Sequence, residues 1–297
     1  MKISILACLA CAFALFAAAP QGLRGQDAPG AGFVGFDFID DALDRAGRAF
    51  DADALEPTLE DSYFLGRAVA AHIFATHAPY TQNPELTRYL NKIAQVLAIN
   101  SPRPVAFRGY FVVILDCHSF NAFASPGGHI FLTRGLVEAA TSEDMLAAAI
   151  AHEMAHIILE HGLGMIKAMS VYGEMQDIAN RAAAFAGNPP AAQRLLSFRD
   201  SVSGLLEAMV KSGYSQEKEF AADRMTVELL AAAGYDPRAM VEVLQILQRM
   251  QGSRSDGFFS THPPPADRIR NAEAAIRQLR VPDTRPHRQA RFQGSRN

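Results

Sequence analysis

The H-E-M-A-H sequence at residues 152–156 constrains this chain more than any other feature. It lies within a run from Ser142 to His161 that predicts a helix throughout. Residues four apart lie one above the other on the same face of a helix, so His152 and His156 can direct both imidazoles at one point. That arrangement suits a zinc ion, which takes imidazole nitrogen at about 2.0–2.1 Å. Glu153 would then lie beside the metal and could take a proton from a zinc-bound water.

A catalytic zinc site needs a third protein ligand, and the best candidate stretch for it is residues 215–223. Glu219 and Asp223 are four apart on a predicted helix. A carboxylate from Glu219 completes the two-histidine, one-glutamate set of a catalytic zinc, and Asp223 can accept the far N–H of a ligating imidazole. The alternative is a solvated acidic face. The apolar neighbours Phe220 and Leu229 favour a buried seam instead.

Composition and charge limit the classes of protein to which the chain can belong. The chain has 297 residues, 49% hydrophobic and 20% charged, which is enough for one globular catalytic domain. A net charge of −3 and a pI near 6.3 give no electrostatic case for a nucleic acid partner. Residues 1–19 have a charged start, an uncharged apolar middle and an Ala-x-Ala end, and they predict a signal peptide. The alternative is an uncleaved N-terminal anchor, which would associate the chain with a membrane.

The remaining pattern predicts a mainly helical α+β fold. Residues 20–57 are a lead-in and amphipathic segment with a short helix around 37–50, and residues 281–297, with four Arg against one Asp, predict a disordered basic tail. Two strands, Arg108 to Leu115 and His129 to Thr133, predict a small antiparallel sheet, with a turn at Pro126-Gly127-Gly128. The other helices are predicted at Leu59–His77, Pro84–Ile99, Gly135–Ala140, Met165–Ala186, Ala191–Lys211, Tyr214–Ala233, Arg238–Gln251 and Ala266–Arg280.

Taken in order, these motifs resemble those of the M48 metallopeptidases. H-E-x-x-H at 152–156 is followed by E-F-A-A-D at 219–223. N-A-F-A-x-P-G-G-x-I at 121–130, A-G-Y-D-P at 233–237 and T-H-P-P at 261–264, leading to Arg268-Ile269, are also similar to the family. The resemblance spans roughly residues 58 to 275. It implies zinc ligands His152, His156 and Glu219, a base at Glu153, and a gluzincin-type peptidase domain at residues 58–280. The chain looks closest to the soluble, envelope-facing bacterial branch.

The resemblance and the residues together predict a mechanism. Glu153 takes a proton from water and returns it to the leaving amine. His262 has three readings: a donor to the developing oxyanion, a ligand that closes the zinc site without substrate, or a loop histidine with no role. His161 is not predicted as a ligand, because nine residues from His152 along one helix place it about 180° round.

The substrate is predicted to add a strand to the sheet along His129 to Thr133. Its binding residues would be Asn121, Gly127, Gly128, His129 and Ile130. Backbone pairing selects extended chains rather than sequence, which suits unfolded polypeptides. His129, on this strand, is not predicted as a metal ligand.

These expectations define one leading function and two rivals. The leading one is a zinc-dependent endopeptidase of the bacterial periplasm that hydrolyses unfolded or misassembled proteins. The rivals are a chaperone or assembly factor with a latent zinc site, and a zinc hydrolase that acts on a non-peptide bond.

Overall fold

A computed structural model describes residues 58–168, 214–250, 265–279 and 285–295. All of these lie within the second of two units, residues 39–297. The predicted signal peptide, the helix around 37–50, the helix 191–211, most of the helix 165–186 and His262 lie outside the described residues. In the described part, no helix combines the length and apolarity needed to cross a bilayer.

Most of the predicted helices that fall within the described residues form with bounds close to those expected from the sequence. Local capping explains the starts: Thr58 makes a reciprocal capping box with Asp61, and the Asn83 side chain accepts from Leu86 N–H at 2.9 Å. The described helices are α1 (Leu59–Thr76), α2 (Pro84–Ile99), α3 (Arg134–Ala139), α4 (Glu143–Ile158), α5 (His161–Ala168), α6 (Gln216–Ala232), α7 (Arg238–Met250), α8 (Pro265–Ile276) and α9 (Arg285–Ser295).

The sheet is mixed, and the predicted antiparallel arrangement is wrong. Its strands are β1 (Phe111–Leu115), β2 (Ala122–Ser125) and β3 (His129–Thr133), in the order β1-β3-β2. The short 3₁₀ turn Pro126–Gly128 can join only antiparallel neighbours, and these are β2 and β3. β1 therefore pairs with the other side of β3 and runs parallel to it. β2 was not predicted as a strand, because two of its four residues are alanine.

Helix α4 lies at the centre of the fold. All residues from Glu143 to His156 are buried, and the helix packs against α2, α6, α7, α9 and the sheet. It is shorter than predicted, since it ends at Ile158 and does not continue to His161. Glu160 takes a left-handed conformation (φ 55°), which turns the chain so that His161 begins the new helix α5. Gly162 therefore lies inside α5 and does not end α4.

The C-terminal segment is also different from the prediction. Residues 285–295 form helix α9, whereas a disordered tail was expected. Phe292 is buried, and Arg288 and Arg291 form ion pairs with the buried Asp144 and Glu143 in the first turn of α4. Basic residues three apart lie on one face of a helix. Their acidic partners are almost 150 residues away, so composition alone suggested a solvated tail.

Candidate metal centre

Three predicted ligands converge on one point. The Nε2 atoms of His152 and His156 are 3.1 Å apart, His152 Nε2 is 3.4 Å from Glu219 Oε2, and His156 Nε2 is 3.6 Å from Glu219 Oε1. Tetrahedral zinc with ligands at about 2.0–2.1 Å requires ligand atoms about 3.3–3.4 Å from one another, so the donor set fits this ion. Within the described ranges, this is the one group of three acidic, histidine or cysteine side chains placed to hold a metal.

The ligands are brought together by the packing of α6 on α4. Ser215 caps α6, accepting a hydrogen bond from Lys218 N–H, and this places Glu219 in the first turn of the helix. Glu219 has no exposed surface, and His152 and His156 are 4% and 2% exposed. An acid at a helix N-terminus lies in a favourable field, but full burial of its charge needs cationic partners.

Arg268 supplies one such cation. Its Nη1 lies 3.0 Å from Glu219 Oε2, while its Nε and Nη2 donate to the Asp223 carboxylate at 2.9 and 2.7 Å. All three side chains are almost completely buried. Arg268, which lies on α8, thus forms ion pairs with both Glu219 and Asp223 of α6. Its guanidinium also holds the pKa of Asp223 below its ordinary value against the opposing effect of burial.

Asp223 occupies the predicted position behind His152. Its Oδ1 lies 3.3 Å from His152 Nδ1, on the ring edge opposite the metal point. Burial alone would lower the pKa of His152, but Asp223 and Glu219 together raise it to about 9. The two carboxylates therefore create strong affinity for positive charge at this position, which a proton or a metal cation can satisfy.

Glu153 lies between the two histidines in sequence and is 2% exposed. It lines a pocket together with His152 and Arg268. The rest of that pocket is apolar: Ala122, Leu136, Ala148, Ala149, Met240, Val243, Leu244 and Leu247. Glu153 thus shares an apolar recess with the predicted ligand His152.

His156 has neighbours that the sequence analysis did not predict. Tyr214 stacks on its ring, with centroids 4.3 Å apart and planes at 18°. His161 Nδ1 lies 2.9 Å from His156 Nδ1. Burial, with the nearby Lys218 ammonium, lowers the pKa of His161 to about 4. The turn at Glu160 explains this contact, because a continuous helix would have carried His161 to the opposite side.

The strand predicted to bind substrate is unavailable for pairing, and that expectation is wrong. β3 is the central strand, bonded to β1 on one side and to β2 on the other, so it has no free edge. Ile130 has no exposed surface. The His129 ring packs against Tyr63, and burial lowers its pKa.

The other predicted substrate residues have structural contacts. Gly127 and Gly128 both have positive φ, and a Cβ on either would lie 2.2–2.3 Å from backbone of Tyr63 or Gly109. Asn121 is buried, and its carbonyl accepts from Thr133 N–H at 3.0 Å. These residues hold the turn and the sheet together, and the structure gives them no contact with the metal point.

The edge strand beside the metal point is instead β2. In an antiparallel ladder, bonded and non-bonded pairs alternate. Because Asn121 bonds to Thr133, the ladder turns the N–H and C=O of Ala124 away from β3. Ala124 lines a second pocket together with His156 and Tyr214. The outer edge of β1 is covered by residues 78–80 and by Asn91.

Sequence reasoning missed Arg268, His161 and Tyr214 as parts of the site. Arg268 was noticed only as part of a family resemblance, because its charged and polar neighbours Asp267, Arg270 and Asn271 are typical of a solvated helix face. His161 was excluded by the assumption of one continuous helix. Tyr214 carries no spacing signal. His262 lies outside the described residues.

Comparisons with known proteins show similarity to one peptidase family. A model described as Peptidase family M48 matches residues 81–276. The chain is 25% identical over 205 residues to the Beta-barrel assembly-enhancing protease of Escherichia coli (strain K12), an alignment that covers 68% of this chain and 41% of that protein. It is 29% identical over 198 residues to Metalloprotease LoiP of the same organism, covering 66% and 72%.

A mitochondrial relative is also similar. The Mitochondrial metalloendopeptidase OMA1 of Schizosaccharomyces pombe is 29% identical over 163 residues, 54% of this chain and 45% of that protein. The alignments span less than half the length of the Beta-barrel assembly-enhancing proteases, including 47% of a protein from Vibrio cholerae with that name marked putative.

Proposed function

Because the chain belongs to peptidase family M48, we propose that it is a zinc-dependent endopeptidase whose metal is held by His152, His156 and Glu219. The observation that supports the proposal most is the spacing of the three ligand atoms, 3.1–3.6 Å, which suits a tetrahedral zinc ion. When bound, the zinc ion lowers the pKa of water and polarises a carbonyl oxygen.

Glu153 is the proposed general base. Its carboxylate accepts a proton as water attacks the scissile carbonyl carbon, and then gives that proton to the amide nitrogen as the C–N bond breaks. The apolar recess beside it would exclude bulk water from the carboxylate. Arg268 contacts both Glu219 and Asp223 and holds the two carboxylates in place, so that both histidines can present Nε2 to one point.

The substrate in this proposal is an extended polypeptide paired to the outer edge of β2. The Ala124 N–H and C=O lie at this edge, and Ala124 shares a pocket with His156. Backbone pairing needs an unfolded segment and reads little sequence. Replacing Ala124 by Pro removes the donor, and we expect KM to rise at unchanged zinc affinity. Ala124→Ser, which keeps the N–H, should retain the wild-type KM.

The cellular role in this proposal is protein quality control in the bacterial periplasm. Its supports are the signal-like residues 1–19 and the similarity to proteins named Beta-barrel assembly-enhancing protease. A chaperone or assembly role with a closed zinc site is the second candidate, and the words "assembly-enhancing" in the name of these relatives favour it. Removal of Glu153 separates the two roles, because a binding role does not need a base.

The test is casein cleavage by the purified, zinc-loaded chain. Glu153→Gln should abolish cleavage, a loss of about 10²–10⁴-fold for general base catalysis, while zinc content stays at one ion per chain. Glu228→Gln, at an exposed position on the helix that carries Glu219, is the matched control and should cleave normally. Full activity in Glu153→Gln would contradict the proposal.

A further inference from the structure

The edge of His156 that faces away from the metal point contacts another histidine. His156 directs Nε2 towards His152 and Glu219, and its Nδ1 lies 2.9 Å from His161 Nδ1. Both rings are buried, at 2% and 8% exposure. A nitrogen–nitrogen distance of 2.9 Å is that of a hydrogen bond, so one atom donates and the other accepts.

The hydrogen inventory of imidazole decides the direction of this bond when a metal is present. A neutral imidazole carries one hydrogen, and a metal at Nε2 leaves it on Nδ1. His156 Nδ1 is then the donor, and His161 Nδ1 must be the acceptor. His161 in turn carries its own hydrogen on Nε2.

The two ligand histidines are therefore supported by different partners. Behind His152 stands the carboxylate of Asp223, at 3.3 Å from its Nδ1. Behind His156 stands a second imidazole. Tyr214 stacks on the His156 ring and restricts its tilt, but a stacked neighbour does not fix which nitrogen faces the metal. The nitrogen that faces the metal is fixed by a hydrogen-bond partner at the other nitrogen of the ring.

We propose that His161 is a positioning residue that accepts the Nδ1–H of His156 and so fixes the tautomer and ring orientation in which His156 Nε2 binds the metal. The inference rests on the proposed metal site. It gives a role to a residue that the sequence pattern alone excludes, since the contact depends on the left-handed turn at Glu160.

The test is zinc affinity, measured by competition with a chromophoric chelator. His161→Phe keeps a ring but removes the acceptor, and zinc affinity should fall about 10–100-fold, as is typical when the partner of a ligating imidazole is lost. His161→Gln offers an amide oxygen as acceptor and should recover most of this loss. His118→Phe, at a side chain that is 76% exposed, is the matched control and should bind zinc normally.

Two further measurements distinguish positioning from a general structural effect. The melting temperature of the metal-free His161→Phe chain should stay near that of the wild type, while the increase produced by zinc should shrink. Long-range ¹H–¹⁵N correlation spectra of the zinc-loaded wild type should show the His156 hydrogen on Nδ1.

Unchanged zinc affinity in His161→Phe would overturn the role of His161, as would an equal loss in the Phe and Gln variants. Failure of the metal site itself gives a different result, because the wild type would then bind zinc no better than Glu219→Gln.

Discussion

Replacement of Arg288 by Met tests whether α9 is part of the folded domain. The Arg288 side chain is 9% exposed and donates to both oxygens of Asp144, at 3.1 and 2.6 Å, and to the Gly234 carbonyl at 2.9 Å. Its guanidinium also lies 5.1 Å from the centre of the Tyr235 ring. Met retains part of the apolar stem but removes every one of the polar contacts.

The expected loss of unfolding free energy follows from the burial of Asp144, the ion-pair partner of Arg288. The Asp144 side chain is 2% exposed, so its charge cannot be solvated once Arg288 is gone. Breaking a buried ion pair from one side costs about 3–5 kcal/mol of unfolding free energy. For a domain of this size that corresponds to a decrease of about 6–20 °C in melting temperature.

The assay is urea unfolding followed by circular dichroism, with two comparison variants. Arg88→Met removes an exposed i,i+3 pair with Glu85 and should change the unfolding free energy by less than about 1 kcal/mol. The double variant Arg288→Met with Asp144→Asn removes the stranded charge and should regain part of the loss. If the unfolding free energy of Arg288→Met lies within about 1 kcal/mol of the wild-type value, as expected for an exposed pair, the reasoning is refuted.

Three other perturbations test separate parts of the structure. Gly128→Ala should destabilise the chain by at least about 1–3 kcal/mol in urea unfolding, because φ is +107° and the new Cβ would meet the Gly109 carbonyl at 2.2 Å; equal stability would contradict the close approach. Chelation of zinc should lower the melting temperature of the wild type but not of Glu219→Gln, since metal at about 1,000 times its Kd contributes about 4 kcal/mol; an equal shift in both would place the ion elsewhere. Hydrogen bonds and charge from Arg238 and Arg285 outweigh burial and lower the pKa of Asp236, so its stabilisation is complete above the unfolded value of about 3.9 and is lost as pH falls below it. Asp236→Asn should therefore be less stable than the wild type at neutral pH, with the difference narrowing below about pH 4 in denaturant titrations; a constant difference would exclude this carboxylate as the cause.

Local signals in the sequence predicted the elements well. The predicted bounds of α2 are confirmed, because Asn83 and Pro84 are residue types that favour a helix N-terminus. The mainly helical α+β fold and the family are also confirmed. Helical spacing predicted that His152 and His156 share one face of α4, and the structure brings Glu219 of α6 to the same point. Their role as zinc ligands stays a prediction.

The remaining features depend on contacts that are distant in sequence. β2 has weak strand propensity and forms because β3 lies beside it, so the strand order was missed, as was the position of β2 at the edge of the described sheet. The Arg residues of α9 look like a solvated tail until Asp144 and Glu143 are placed opposite them. Arg268 likewise has its partners on another helix. Secondary-structure propensity depends on nearby residues, so it cannot predict contacts with residues that are distant in sequence.

The connection between α4 and α5 consists of Leu159 and Glu160, and its length fixes the orientation of α5 relative to α4. Glu160 lies between the two helices with a left-handed backbone, and its carbonyl accepts a hydrogen bond from Gly164 N–H of α5 at 2.9 Å. One residue inserted or deleted here would rotate α5 by about 100° about its axis. His161 would swing away from His156, although H-E-x-x-H would read unchanged. A relative with a different spacing after this motif would thus keep every metal ligand yet lose the imidazole that backs one of them.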